Sequence, residues 1–174
     1  MNVHTVLRYS NRPYSSAQQR VLVVEDHLEI QLTKGLVAVA DLSDFDLLVQ
    51  ATWTTLVTKN TNYAYTKGPV LMHRYLLDAK PGEKVDHIDG NGINNRRSNL
   101  RICTPQQNGA NSRKRAGRPY KGVSVGPNGK WRAYIKVNYK VIALGTFPTA
   151  EKAAKAYDRA ALYYFREFAR PNFP

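Results

Sequence analysis

The chain has 174 residues, a formal net charge of +13 and a sequence pI near 10.0. That length suits one large domain or two small modules; no apolar run reaches the ~20 residues that cross a bilayer, and the start lacks a signal-peptide core. Cys103 is the single cysteine. This excludes disulfide frameworks and zinc sites built on paired cysteines, and favours a reducing, cytoplasmic setting.

Residues 1–20 read as a polar, flexible arm whose Arg8, Arg12 and Arg20 suit a phosphate backbone. Residues 21–72 read as a β-rich module. "EIQLT" and "LVAVA" alternate around a Lys34-Gly35 turn, and "WTTLVT", "NYAYT" and "VLM" follow as short strands. Between them Ser43 is expected to cap a short helix through "DFDLLVQA". No chemistry is evident in this module.

Residues 73–114 differ in character. "HRYLLD" makes one or two helical turns, "KVDHI" a strand, 89–99 a compact loop and "LRICT" a second strand. Pro105 suits a first helical turn, so the spacing predicts a helix over "PQQNGANSRKR". A basic linker covers 115–119. From 120 to 174, "YKGVSV", "KWRAYIKV" and "KVIALGTF" alternate as three strands, and Thr149 caps a helix to about Phe168. Ala153, Tyr157, Ala160, Ala161, Tyr164 and Phe168 form its apolar stripe, which is core packing against the sheet. The sheet's other face is expected to carry Lys121, Ser124, Lys130, Arg132, Tyr134 and Lys136, long polar groups suited to a major groove. The fold class is α+β.

Charge is distributed unevenly. Between Asp89 and Glu151 there is no acidic residue, while twelve basic ones fall there, Arg96, Arg101, Arg113, Lys114, Arg115, Arg118 and Lys140 among them. A one-signed field of that length selects a polyanion, with nucleic acid the commonest. Within "KVDHIDGNGINNRRSNLRICT", Asp86, His87 and Asp89 stand together before an Asn-rich loop. Read alone, this is a structural turn as readily as a site that holds a metal and accepts a proton.

"DHIDGNGINNRRSNLRICTPQQN" resembles the HNH endonuclease motif of phage and bacterial homing enzymes. "YKGV", "GKWRAYI", "LGTF", "TAEKAAKAYDRAA" and "NFP" resemble the APETALA-type, ethylene-response-factor DNA-binding domain. The first resemblance implies a ββα-metal nuclease that hydrolyses phosphodiester bonds in double-stranded DNA, as a nicking monomer or as a two-fold homodimer cutting both strands. It implies His87 as general base, Asn99 as the residue that ties the loop, and Asp86 with Asn108 as ligands of one Mg²⁺, with Mn²⁺ as substitute and no structural zinc. A hard cation with few protein ligands and a histidine of ordinary pKa about 6.5 suit that chemistry. Asp89 reads as a loop cap or a second metal ligand, and His73 as structural.

The second resemblance implies DNA binding by the sheet. Ser124, Val141 and Ala143 depart from its plant pattern, so a GC-rich target does not carry over. Arg113, Arg115 and Arg118 in "RKRAGRP" read either as a minor-groove arm or as a solvated run along the backbone. The alternative to an endonuclease is a catalytically silent DNA-binding regulator. An RNA-directed role is disfavoured, because the sheet lacks paired stacking aromatics.

Overall fold

A computed structural model describes residues 3–9, 19–68, 70–126 and 128–173, the first stretch by its backbone alone. The chain divides into two compact units, Met1–Ile102 and Cys103–Pro174.

The first unit opens with an antiparallel sheet of strands β1 (Val3–Tyr9), β2 (Gln19–Val24), β3 (His27–Gln31) and β4 (Val37–Asp41), in that spatial order. Where a loose arm was expected, Val3–Tyr9 thus pairs with β2. Its β-branched Val3, Thr5 and Val6 suit extended backbone, while residues 10–18 of that expectation lie outside the described residues. Alternation works as anticipated on β3 and β4: Leu28, Ile30, Ala38 and Ala40 are fully buried and their neighbours are not.

The helix expected from a Ser43 cap starts later. Leu42–Asp44 forms a 3-10 turn, and α1 (Phe45–Leu48) begins after Asp44, which makes no side-chain cap. The reason is a competing partner: the Asp44 carboxylate, 3% exposed, accepts from Arg97 Nε at 3.0 Å and Nη2 at 2.7 Å.

Strands β5 (Trp53–Val57), β6 (Asn62–Thr66) and β7 (Val70–Leu71) form a second antiparallel sheet. The expected "VLM" strand ends at Leu71, because Met72 opens α2 (Met72–Leu76). Strands β8 (Lys84–His87) and β9 (Leu100–Cys103) pair as a ladder. Trp53, Met72, Leu76, Val85 and Leu100 join Leu28, Ile30 and Leu48 in one core. The module without evident chemistry is therefore the platform on which the β8–β9 ladder sits.

The connection from β8 to β9 is seated on that platform. Val39 N donates to Ile93 O at 2.9 Å and Asn95 N to Val39 O at 2.7 Å, which adds a short parallel bridge to β4. Arg97 N donates to Asp41 Oδ2 at 2.8 Å, and Gly92 N to Thr61 Oγ1 at 3.0 Å. Gly92 is required by this approach, since an added Cβ would lie 2.4 Å from Asn62 O.

The second unit begins with α3 (Pro105–Asn111), capped by a Thr104–Gln107 capping box. The helix stops at Asn111, short of the expected "SRKR" extension, as Ser112 turns to extended backbone and bonds Gly109 O through its N at 3.2 Å and its Oγ at 2.7 Å. Antiparallel strands β10 (Val123–Val125), β11 (Trp131–Val137) and β12 (Lys140–Phe147) follow, then α4 (Ala150–Phe165) with Thr149 accepting from Lys152 N as the expected cap. Its buried Ala153, Ala154, Ala156 and Ala161 let α4 approach the sheet closely, the three-strands-on-one-helix arrangement expected for this segment. The last turn tightens at Arg166, where φ is 47°, into a 3-10 turn over Arg166–Phe168. The tail is latched by Asp158, which accepts from Asn172 N at 2.8 Å and Phe173 N at 3.1 Å.

Gly92→Ala is expected to destabilise the first unit by about 1–3 kcal/mol, the usual cost of overpacking. Urea unfolding of the full chain reads this directly; an unchanged midpoint would show that the loop is not held against Asn62.

Candidate active site

Asp86 and His87 close β8, and both are nearly buried, at 5% and 6% exposure. Successive strand residues point to opposite faces, and the two side chains accordingly meet different partners. Asp86 Oδ2 accepts from Arg101 Nε at 3.0 Å and Nη2 at 2.7 Å, across the ladder on β9. The His87 ring lies against His73, with centroids 4.7 Å apart and edge-on, and against Tyr63 at 5.9 Å. Its Nε2 is 3.3 Å from Asn95 Oδ1. Paired with that amide oxygen, Nε2 is the donor of the contact, as in the Nε2–H tautomer.

Asn95 has no exposed surface, and its Nδ2 has no partner among the described residues. Leaving a buried donor unmet costs about 1–3 kcal/mol. The Asn95 side-chain oxygen is the hydrogen-bond partner of His87 Nε2.

The loop after His87 is closed by Asn99. Its Oδ1 accepts from Asp89 N at 3.0 Å, and its Nδ2 donates to Asp89 Oδ1 at 3.0 Å and to Asn94 O at 2.8 Å. Asp89 also accepts from Asn91 N and Asn94 Nδ2, each at 2.7 Å. These hydrogen bonds hold its carboxyl below the usual carboxylate range against the opposing effect of burial. Asp89 is thus spent on the loop. Gly90 N returns to His87 O at 2.8 Å, ending the strand at the candidate base.

Burial pushes the His87 pKa below its ordinary value of 6.5, partly offset by Asn95, Asp89 and Asp86. His73 is pushed down further, to about 3, chiefly by burial and then by His87 and Arg74. Both imidazoles are therefore neutral at pH 7.

Asn108 belongs to the second unit and is exposed on α3, its N donating to Thr104 O at 3.0 Å. Among the described residues no three His, Cys, Asp or Glu side chains converge. The carboxylate of Asp86 and the amide oxygen of Asn108 are hard donors, the type that fits a hard divalent cation retaining water and phosphate ligands.

On the second unit's sheet, Ser124 pairs with Arg132, Arg132 with Thr146, Tyr134 with Ala143 and Lys136 with Val141. Alternation puts Arg132, Tyr134 and Lys136 opposite the buried Ala133 and Ile135, so these residues share the outward face. Lys130 is exposed just before β11, and Arg113, Arg115 and Arg118 are exposed ahead of β10. Lys121 is placed differently. Its Nζ donates to Ala110 O at the end of α3, and burial pushes its pKa down to about 8.

Reading the sequence missed Asn95 and Arg101. "INNRR" offers two adjacent asparagines with nothing local to rank them, and the Arg101–Asp86 pair spans 15 positions.

On β8 a neutral imidazole thus follows a buried carboxylate, and the other unit carries a sheet with basic outward side chains on one helix. Residues 78–110 match the HNH endonuclease family model and residues 119–167 that of the AP2 domain. An HNH endonuclease of Acanthamoeba polyphaga mimivirus, itself uncharacterised, is 33% identical over 145 residues, 80% of this chain and 76% of the relative. The chain belongs to the HNH endonuclease family. Over the second unit, an AP2/ERF and B3 domain-containing protein of Oryza sativa is 53% identical across 55 residues, 32% of this chain and 15% of that protein. An ethylene-responsive transcription factor of Arabidopsis thaliana is 46% identical across 59 residues, 33% of this chain and 32% of that protein. No solved structure matches the chain. Among the described residues no helix is long and apolar enough to cross a membrane.

Between pH 6.5 and about 3 the unfolded chain binds a proton at residue 73 that the folded chain refuses. Stability therefore falls as pH is lowered through that window, by up to about 1.4 kcal/mol per pH unit for one such group. His87 acts in the same direction. His73→Phe is expected to flatten the slope of unfolding free energy between pH 7 and 5; an unaltered slope would show that His73 already titrates normally in the folded state.

Proposed function

We propose that the chain is a site-specific, homing-type, metal-dependent endonuclease acting on double-stranded DNA. Residues 73–114 cut, and the sheet within residues 120–174 binds the duplex. The observation that carries the reading is the placement of His87 by Asn95 at the end of the strand that also carries Asp86.

His87 Nδ1 takes a proton from the attacking water as its oxygen bonds to phosphorus and the 3′ oxygen leaves. The ring suits this task because burial holds its pKa below the ordinary 6.5, which leaves it neutral at pH 7. Asn95 fixes the tautomer, and Asn99 sets the loop that ends β8 at His87. Asp86 is the proposed anionic ligand of one divalent metal and Asn108 the neutral one. When bound, the metal supplies charge relief on the phosphate and the leaving oxygen. Oxygen donors favour Mg²⁺, with Mn²⁺ as substitute. Arg101 holds the Asp86 carboxylate in a two-pronged grip, which fixes its orientation before a cation arrives.

On the second unit, Arg132, Lys136 and the exposed Lys130 supply the positive groups that a duplex backbone attracts, and Ser124 and Tyr134 stand beside them. Phosphate contacts position and base contacts specify, so site choice is assigned to this sheet.

His87→Ala is expected to lower plasmid cleavage by about 10²–10⁴-fold, the usual worth of a positioned general base, while binding of an intact duplex stays within a few fold. The measurement is conversion of supercoiled plasmid to nicked or linear form in Mg²⁺, beside a gel-shift titration without metal. Equal cleavage by the variant removes His87 from the mechanism. A wild-type protein that binds DNA and never cuts it supports the silent regulator instead.

A further inference from the structure

The outward face of the second unit's sheet is not uniformly polar. Val141 is 67% exposed, and Ala143 is also exposed, on the edge strand β12. Cross-strand pairing puts Val141 directly beside Lys136 and Ala143 beside Tyr134, with Arg132 and Thr146 further along. Two short aliphatic groups therefore sit side by side within a cationic surface, on a stretch of chain without one acidic residue from 90 to 150.

Ile142 and Leu144, the alternate residues of the same strand, turn inward against the core around Ile135, so Val141 and Ala143 contribute nothing to that packing. Resting on the proposal that this sheet binds the duplex, we infer that Val141 and Ala143 read the 5-methyl groups of thymine in the major groove. Each base pair shows a distinct pattern there, and the thymine methyl is the apolar feature of that pattern. Apolar side chains recognise it by excluding water, whereas the lysine and arginine alongside are matched to guanine acceptors and phosphate. Residues two apart on a strand repeat every ~6.8 Å, close to two base-pair steps of ~3.4 Å. A strand lying along the groove would thus present the two groups to thymines two base-pair steps apart. The site recognised should combine such thymines with guanine next to the Arg132–Lys136 row.

The test uses the full chain without divalent metal, so that no DNA is cut. A random-sequence duplex pool is selected on the protein, and each thymine of the resulting consensus is then replaced singly by deoxyuridine, which removes the methyl and keeps the pairing. The inference expects a threefold to tenfold loss of affinity at one or two thymine positions; burying one methyl is worth about fourfold. Val141→Ser, a substitution at a solvent-facing position, should reduce that loss to below twofold at one of these thymines. A consensus with no methyl-sensitive thymine overturns the inference and leaves DNA binding by the sheet standing, as does a loss that Val141→Ser retains. Selection of no consensus at all overturns the inference together with the assignment of site choice to this sheet.

Discussion

The candidate site depends on one clasp, the Asn99 carboxamide closed on Asp89 and the backbone of Asn94. Ordering one residue of backbone costs about 1–2 kcal/mol, and a net hydrogen bond returns about 0.5–1.5 kcal/mol. A loop of this length is held only when most of its polar groups are paired. Asn99 pairs three at once, and the bridge to β4, the Thr61 hydroxyl and Asp41 take others. With the loop closed, Asn95 is delivered into the core facing His87, and the strand ends at the proposed base. Remove the clasp and Asn95 loses its fixed position, so the tautomer of His87 is no longer selected.

The loop's need for outside partners explains why a β-rich module precedes a nuclease motif. Asp41, Asp44, Val39, Thr61 and Asn62 each touch the loop, and all but Asp41 and Asp44 do so through groups that carry no charge. The module needs no reactive group of its own to matter for the reaction. Its contribution is rigidity, delivered to a segment that by composition alone would stay mobile.

Local signals were legible in the sequence. The Thr104 box and the Thr149 cap depend on residues three positions apart, and the alternation of β3, β4 and β11 follows from burial of one face. Asp86 and His87 stood out as neighbouring polar residues in a basic chain, and Asn99 through the resemblance to the HNH motif. What stayed hidden was long-range pairing. Arg97 captures Asp44 from 53 positions away, so that the residue preceding α1 does not cap it. Arg101 reaches Asp86 across the ladder, and Asn95 is distinguished from Asn94 only by which of them the loop turns inward. Lys121 reads from sequence as a groove residue, yet the approach of α3 within its own unit draws its ammonium onto Ala110. The edge strand β1 was missed because its partner is separated from it by a stretch with no strand pattern.

The account turns on a neutral His87 protonated at Nε2. Long-range nitrogen–proton correlation spectra of ring-labelled protein report that state directly. The account predicts an Nε2–H tautomer at pH 7 and titration below pH 6.5, with the tautomer preference lost in Asn95→Ala. An Nδ1–H ring at pH 7, or a ring still protonated there, would contradict it.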